Sequence, residues 1–357
     1  MNPLNTALSN RSIQVEANID RSVEAEHTMG PLLAKYVLPK VPSREQLSQV
    51  NSVQIRQSSD IDEFSSVGKS GHKRFNWRRP SFKFMGANMA CVVPPGADYT
   101  YHYSKLLETA AKFYDLDFSI QKEEVTSEQT LQFVISLLRP KIGRYDSVLL
   151  GYVESLFIGD DHTWEIVNGV GYRTVELNGF SVLILGFELS YWGDIGGQLV
   201  AALAELGVSD WVVYVGKLGT LDPGVVPNFN IATGTRSVIE GHEVSWNTRL
   251  QGFDIPDIKN VGVLRNQLHI TEPSTLDETV SWLQKNQGTV NLVDPEIGRM
   301  ASSAIDRGIT FDYLHIVSDN LSGGYDHGLF DEHFGDVKVL RNECLSLIES
   351  ILRLSFR

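Results

Sequence analysis

Three places where an apolar run gives way to a polar segment hold residues able to do chemistry. Val293-Asp294-Pro295-Glu296 closes one run with two carboxylates, Ile316-Val317-Ser318-Asp319-Asn320 closes another with one, and Val215-Gly216-Lys217-Leu218-Gly219-Thr220-Leu221 ends a third with two glycines around a lysine. A carboxyl at the end of a buried strand can act as general acid or base once burial has shifted its pKa. Glycines at such a turn let backbone N–H groups approach an anion or a sugar. Each segment also has a purely structural explanation. Asp caps helices, Pro suits the first turn and Glu favours the positive helix end, Asp319 could close an Asx-turn, and G-x-x-G turns after strands are commonplace. Local sequence leaves both explanations open.

Periodicity predicts the elements that must hold these junctions. Segments 103–116 and 128–138 space apolar residues for amphipathic helices. Apolar runs at 89–93, 147–150, 180–185, 211–215, 290–293 and 313–317 read as strands, several of them continuous rather than alternating, as in strands buried on both faces. Helix-length segments 196–206, 277–287, 296–307 and 336–354 are interleaved with them. Strand and helix alternating in this way predict an α/β fold with a mainly parallel central sheet over residues 81–357. Residues 1–80 are polar and aperiodic, and read as an N-terminal extension or arm, partly irregular. At its end, Lys73-Arg74-Phe75-Asn76-Trp77-Arg78-Arg79-Pro80 reads as a solvated linker or as an anion contact.

The composition bounds the possible functions. Across 357 residues, 31 basic and 44 acidic side chains give a net charge of −13, which repels a polyanion and excludes long nucleic acid as a partner. Two cysteines, Cys91 and Cys344, are too few for a disulfide framework or a metal cluster, so no metal is expected. With no apolar run of transmembrane length and no leader-like start, the expectation is a soluble cytoplasmic protein with no membrane partner.

In order and setting, the three junctions resemble the nucleoside phosphorylase superfamily, which includes purine nucleoside phosphorylases, uridine phosphorylases and methylthioadenosine/S-adenosylhomocysteine nucleosidases. Residues 169–221, with Asn178-Gly179, a strand, Gly186, a helix, Gly207-Val208, a strand and Gly216-Lys217-Leu218-Gly219, are similar to the family's stretch ending in G-[ST]-x-G. Val293-Asp294-Pro295-Glu296 is similar to its V-[DE]-M-E and Val317-Ser318-Asp319 to its [IV]-S-D, with Asp319 standing 23 positions after Glu296. Ser318-Asp319-Asn320-Leu321-Ser322-Gly323-Gly324 followed by Phe334-Gly335-Asp336-Val337, and Thr271-Glu272-Pro273 through Glu278-Thr279, resemble the hexameric purine phosphorylase and uridine phosphorylase branch. The resemblance covers residues 165–355, thins over 85–165 and does not reach 1–75. It implies a three-layer fold whose central sheet is mixed and mainly parallel, and a homo-oligomer in which residues 1–80 could contact a partner or a neighbouring subunit.

The resemblance further implies cleavage of the N-glycosidic bond of a purine nucleoside or nucleotide, with phosphate or water as acceptor and no cofactor beyond phosphate as a co-substrate. Asp319 would protonate the leaving base. Glu296, assisted by Asp294, would accept hydrogen bonds from the ribose hydroxyls, with Pro295 against the sugar. Gly216, Lys217, Gly219, Thr220 and Ser318 would line the floor, and Phe187, His269 and Trp192 are candidates for the base pocket. Pro295 replaces the family's Met, and Tyr214 and Lys217 stand where the hexameric branch carries Arg and Ser on phosphate. Pro94-Pro95-Gly96-Ala97-Asp98-Tyr99 lacks the Arg of the branch's N-terminal phosphate motif, which Arg173 or Arg78 would have to replace. These departures make hydrolysis, by a water near Glu296 or Glu188, a competitor to phosphorolysis. They also leave room for a non-catalytic nucleoside-binding or regulatory protein, while the unmatched N-terminal region suggests a nucleotide-depleting nucleosidase effector.

Overall fold

In Ser52–Gln57 the apolar positions alternate, and that suffices to bury Val53 and Ile55 while Gln54 stays outside. In the computed structural model, which describes residues 19–65, 73–139, 142–157, 163–250, 261–323, 325 and 335–356, this strand is β1. It lies inside a four-stranded sheet with β2 (Ser81–Met85), β3 (Asn88–Val93) and β4 (Ser119–Lys122), in the order β2-β3-β1-β4, and pairs in parallel with β3 and β4. Helices α1 (Ser22–Ala25), α2 (Leu33–Val37) and α3 (Arg44–Leu47) precede it, and Leu33, Tyr36, Val37 and Leu47 join the same apolar core as Leu183 and Val212. The arm expected over residues 1–80 is therefore corrected for its described part: it is built into the fold. Pieces of four to six residues carry too few apolar positions to show a period in a polar background. Residues 1–18 and 66–72 lie outside the described residues.

The linker reading of residues 73–80 is corrected as well. Phe75 is 6% exposed and stands edge-on to Trp164 at 4.6 Å. Its ring fills the space over Gly171 and Gly186, where an added Cβ would come within 2.4 Å and 2.3 Å of it. Those two glycines pair directly across neighbouring strands.

The long apolar runs form a second, twelve-stranded sheet: β5 (Ser147–Gly151), β6 (Glu165–Val167), β7 (Val170–Leu177), β8 (Phe180–Phe187), β9 (Trp211–Thr220), β10 (Asn230–Thr233), β11 (Arg236–Ile239), β12 (His242–Ser245), β13 (Gly262–Arg265), β14 (His269–Thr271), β15 (Leu292–Asp294) and β16 (Thr310–Asn320). Its centre, β8-β5-β9-β16, is parallel. β15 joins β9 antiparallel, and β7 joins β8 the same way, so the sheet is mixed. Successive residues of β9 serve opposite faces. Val212, Tyr214 and Leu218 enter the core shared with α4 (Ala97–Tyr114), α5 (Ser127–Leu137), α6 (Asp194–Glu205) and α8 (Ile297–Arg307), while Trp211, Val213 and Val215 enter the core of α9 (Gly335–Ser355). Between these helices, the short α7 (Val280–Asn286) follows β14. Helices thus cover the sheet on both sides in three layers, the α/β architecture expected. Among the described residues no helix is long and apolar enough to cross a membrane.

Candidate active site

The β15–α8 junction is organised around Asp294. Its Oδ1 accepts the N–H groups of Glu296 at 3.2 Å and Ile297 at 2.9 Å, so the side chain caps α8 as the structural reading expected. The same carboxylate is enclosed by two fully buried imidazoles: His269 Nε2 lies 2.9 Å from Oδ1 and His315 Nε2 lies 3.6 Å from Oδ2. Burial alone would raise the Asp294 pKa, but His269 and then His315 outweigh it and hold the carboxyl below its usual range. Ser237 Oγ, 2.9 Å from His269 Nδ1, orients that ring from behind. His269 is consequently not a base-pocket residue; it is 0% exposed and grips Asp294. Pro295 is buried within the turn.

Glu296 opens α8 with its carboxyl on the α6 side of the sheet. The Tyr214 hydroxyl donates to Oε2 at 3.4 Å, and the Gly193 N–H adds a second bond. Burial first, and then the negative charge of Asp294, push the Glu296 pKa well above the carboxylate range. Gly193 has φ +57°, and a Cβ there would meet Asp98 Cβ at 2.4 Å, so only glycine can deliver this N–H. Around it, α4 and α6 cap one another: Asp194 accepts the N–H groups of Ala97 at 2.8 Å and Asp98 at 3.1 Å, and Asp98 accepts the Asp194 N–H at 2.9 Å. Arg299 of α8 closes the assembly through two bonds to Asp98, at 3.0 Å and 3.2 Å. At Pro94–Tyr99, where the hexameric branch carries a phosphate-binding Arg, the charged side chain present is this Asp98 carboxylate, 201 residues from its cation.

Asp319 comes after a bulge in β16, and the register sets Val293, Gly219 and Asp319 in one row across three strands. The Ser318 hydroxyl donates to Asp319 Oδ1 at 2.6 Å, and Oδ2 lies 3.2 Å from where a Gly219 Cβ would stand. Burial raises the Asp319 pKa, against the opposing effects of Ser318, Arg341 and Lys217. Glu278, which is buried, senses both sites: burial, then the charge of Asp319 and, more weakly, that of Asp294 push its pKa well up.

The glycine segment is not a loop. Gly216, Lys217, Gly219 and Thr220 all lie within β9, and a Cβ on Gly216 would sit 2.5 Å from His315 Nε2. The missing side chain there makes room for an imidazole, not for an anion. Gly216→Ala should cost about 1–3 kcal/mol, read as a lower urea midpoint at unchanged m; a loss below about 0.5 kcal/mol would mean the ring has room to move. Lys217 lies over the Tyr152 ring at 5.9 Å, on the face opposite Tyr214. Thr220 is buried and donates to the Asn291 carbonyl at 3.1 Å. Phe187 packs edge-on against Tyr191 at 5.3 Å inside the α5–α6 core, and Trp192 stacks on His102 at 4.3 Å. Arg78 and Glu188 pair with each other at 2.9 Å, and Arg173 lies over Trp164 at 4.8 Å. Phe334 and Gly324 of the tail motif lie outside the described residues. Among the described residues no group of His, Cys, Asp and Glu is arranged to hold a metal ion.

No family model matches the chain. Among curated proteins, the oxidoreductase cns1 of Cordyceps militaris is 21% identical over 333 residues, 80% of this chain and 41% of that protein, so the chain spans less than half of its relative's length. Solved structures that resemble it include the methylthioadenosine/S-adenosylhomocysteine nucleosidase of Colwellia psychrerythraea in complex with adenine (14% identity, 61% of this chain and 96% of that one, TM-score 0.45). A purine nucleoside phosphorylase of Toxoplasma gondii (13%, 61% and 94%, TM-score 0.48) and a uridine phosphorylase of Vibrio fischeri (14%, 59% and 91%, TM-score 0.46) are similar to a like extent. Identities this low concern the fold, and the roles of individual residues rest on the geometry above.

Proposed function

We propose that the chain cleaves the N-glycosidic bond of a nucleoside or nucleotide, a purine one by resemblance, with phosphate or water accepting the sugar. The observation that carries this reading is the setting of Asp319. Its Oδ1 is held by the Ser318 hydroxyl, its Oδ2 lies beside Gly219 next to the Leu321 side chain that fills the space over that glycine, and burial favours its protonated form. Breaking a C1′–N bond builds positive charge on the sugar and negative charge on the departing base. A neutral carboxyl beside the base supplies the proton that this departure needs. Asp294 and Glu296, at the turn that follows the neighbouring strand β15, supply negative charge and hydrogen-bonding oxygens for the sugar. The positive charges of Arg341 and Lys217 act on Asp319 against burial.

Incubation with a panel of nucleosides and nucleoside 5′-phosphates, with and without inorganic phosphate, tests the reading through chromatography of free base. Release that requires phosphate identifies phosphorolysis, and release without it identifies hydrolysis. A second reading, a protein that binds a nucleoside without cleaving it, is favoured by the Tyr214 hydroxyl already occupying Glu296 Oε2. Saturable binding with no base released from any member of the panel would establish that alternative and remove the first.

A further inference from the structure

Two carboxyls meet in the dry interior between β15 and α8, and one of their oxygens lacks a donor. Asp294 Oδ1 is well supplied by two backbone N–H groups and by the His269 contact. Asp294 Oδ2 is buried without a hydrogen-bond partner, its neighbour being His315 Nε2 at 3.6 Å. An orphaned carboxylate oxygen in such a place is costly, and polar groups this deep are almost always satisfied. Two groups stand near it: His315 Nε2, itself buried without a partner and beyond hydrogen-bonding distance, and the Glu296 carboxyl, two residues on, which the Tyr214 hydroxyl holds on the same side of the sheet.

We propose that Asp294 and Glu296 hold one proton between them, seated on Glu296 and directed at Asp294 Oδ2, with His269 and His315 as positioning residues that keep Asp294 the ionised partner. The arrangement satisfies each oxygen in turn. Glu296 donates to the orphaned Oδ2 and still accepts from the Tyr214 hydroxyl and the Gly193 N–H. Asp294 keeps its bonds to the α8 backbone. Two like charges at hydrogen-bonding distance in a water-poor site do not both persist, and the carboxyl flanked by imidazoles is the one that remains charged.

The groups facing the pair agree with this division. From β14 and β16 come His269 and His315, against Asp294, with Tyr313 of β16 behind them. From β9 comes Tyr214, and from the segment before α6 come Tyr191 and the Gly193 N–H. Glu278, after β14, is a further buried acid on which the Asp294 charge acts. None of the groups that act most strongly on Glu296 is a Lys or an Arg. The pair therefore meets a ligand with one negative charge and one acid proton. If the proposed reaction is the right one, a sugar hydroxyl can both donate to and accept from the same dyad, whereas two ionised carboxylates could only accept.

Infrared spectroscopy of the ligand-free protein tests this, because a protonated carboxylic acid has a carbonyl stretch distinct from that of a carboxylate. At neutral pH, the wild-type minus Glu296→Gln difference spectrum should contain one such band, shifting on transfer to deuterium oxide. In Asp294→Asn the Glu296 band should titrate away at lower pH than in the wild type. In His315→Gln, a protonated Asp294 should add a new band as the pH is lowered, at a pH where the wild type has none. Should a variant fail to fold, wild-type protein carrying carboxyl-labelled glutamate still reports: labelling displaces the bands of protonated Glu alone, Glu24→Gln and Glu278→Gln remove the other buried glutamates among the described residues, and Glu272→Gln removes a further one whose pKa burial raises. Absence of a protonated-Glu band attributable to position 296 at neutral pH would overturn the proposal. No substrate enters these measurements, so their outcome is separate from whether the protein releases a base.

Discussion

Asp319→Asn should lower base release by about 10²- to 10⁴-fold, the range that a positioned general acid contributes, while leaving the fold unchanged. Asn has the same shape, and its carbonyl oxygen can still accept the Ser318 hydroxyl that Oδ1 accepts now. What it loses is the ability to hand over a proton at Oδ2, the oxygen beside Gly219. Burial raises the folded pKa of Asp319, so the active, protonated form persists above the usual carboxylate range, and activity should fall as pH rises through that value. The variant should lose this limb of the pH profile. A substrate whose leaving group departs without protonation offers the sharper control, because the variant should cleave it nearly as fast as the wild type does. Retention of base release within about 10-fold on a natural nucleoside, a difference of about 1.4 kcal/mol in the barrier, would remove Asp319 from the mechanism.

Which carboxylates matter could be read from the sequence; what surrounds them could not. Asp294, Glu296 and Asp319 declare themselves because each ends an apolar run, and a carboxylate there is conspicuous against its neighbours. The β9 glycines illustrate the opposite case. A missing side chain is visible in sequence, but not whether a ligand or another residue fills the gap, and at Gly216 the occupant is His315, 99 positions later in the chain. His269 was a base-pocket candidate on type alone, whereas its partner Asp294 comes into reach only through the parallel pairing of β14 with β15. The N-terminal region is illegible for a different reason: β1 becomes a strand because β3 and β4 flank it on both sides, a tertiary support that local periodicity does not register. Phe75 went unnoticed as a core residue because it lies among five charged or polar neighbours, while the hollow that receives it is made by Gly171 and Gly186 far downstream.

The cap assembly framing Glu296 should be the more sensitive point for stability. Arg299→Met, which keeps the aliphatic stem of the side chain and removes its charge, should destabilise the protein by about 3 kcal/mol near pH 8, the lower end of what taking one partner from a buried ion pair costs, because Asp98 is buried while Arg299 is 25% exposed. The guanidinium forks onto both oxygens of Asp98 and reaches Glu240 at 2.8 Å, while Asp98 and Asp194 tie together the first turns of α4 and α6. Without it, the buried Asp98 and the half-buried Asp194 face only backbone N–H groups. Burial, followed by the charge of Asp98, already raises Asp194 to about 6, and burial raises Asp98 despite Arg299. A raised carboxyl pKa means that the native state binds the proton more tightly than the unfolded chain, whose Asp titrates near about 3.9. Stability from this group is therefore greatest at low pH and falls as pH rises from about 4 to about 6. Losing the guanidinium moves both acids further up, so the deficit of Arg299→Met should be visibly smaller at pH 5 than at pH 8. Denaturant midpoints at the two pH values measure it. An equal loss at both, or one under about 1 kcal/mol at pH 8, would mean that the ion pair is peripheral. A pH-dependent loss would tie the Gly193 N–H, and through it the Glu296 carboxyl, to a clamp set by one arginine on α8.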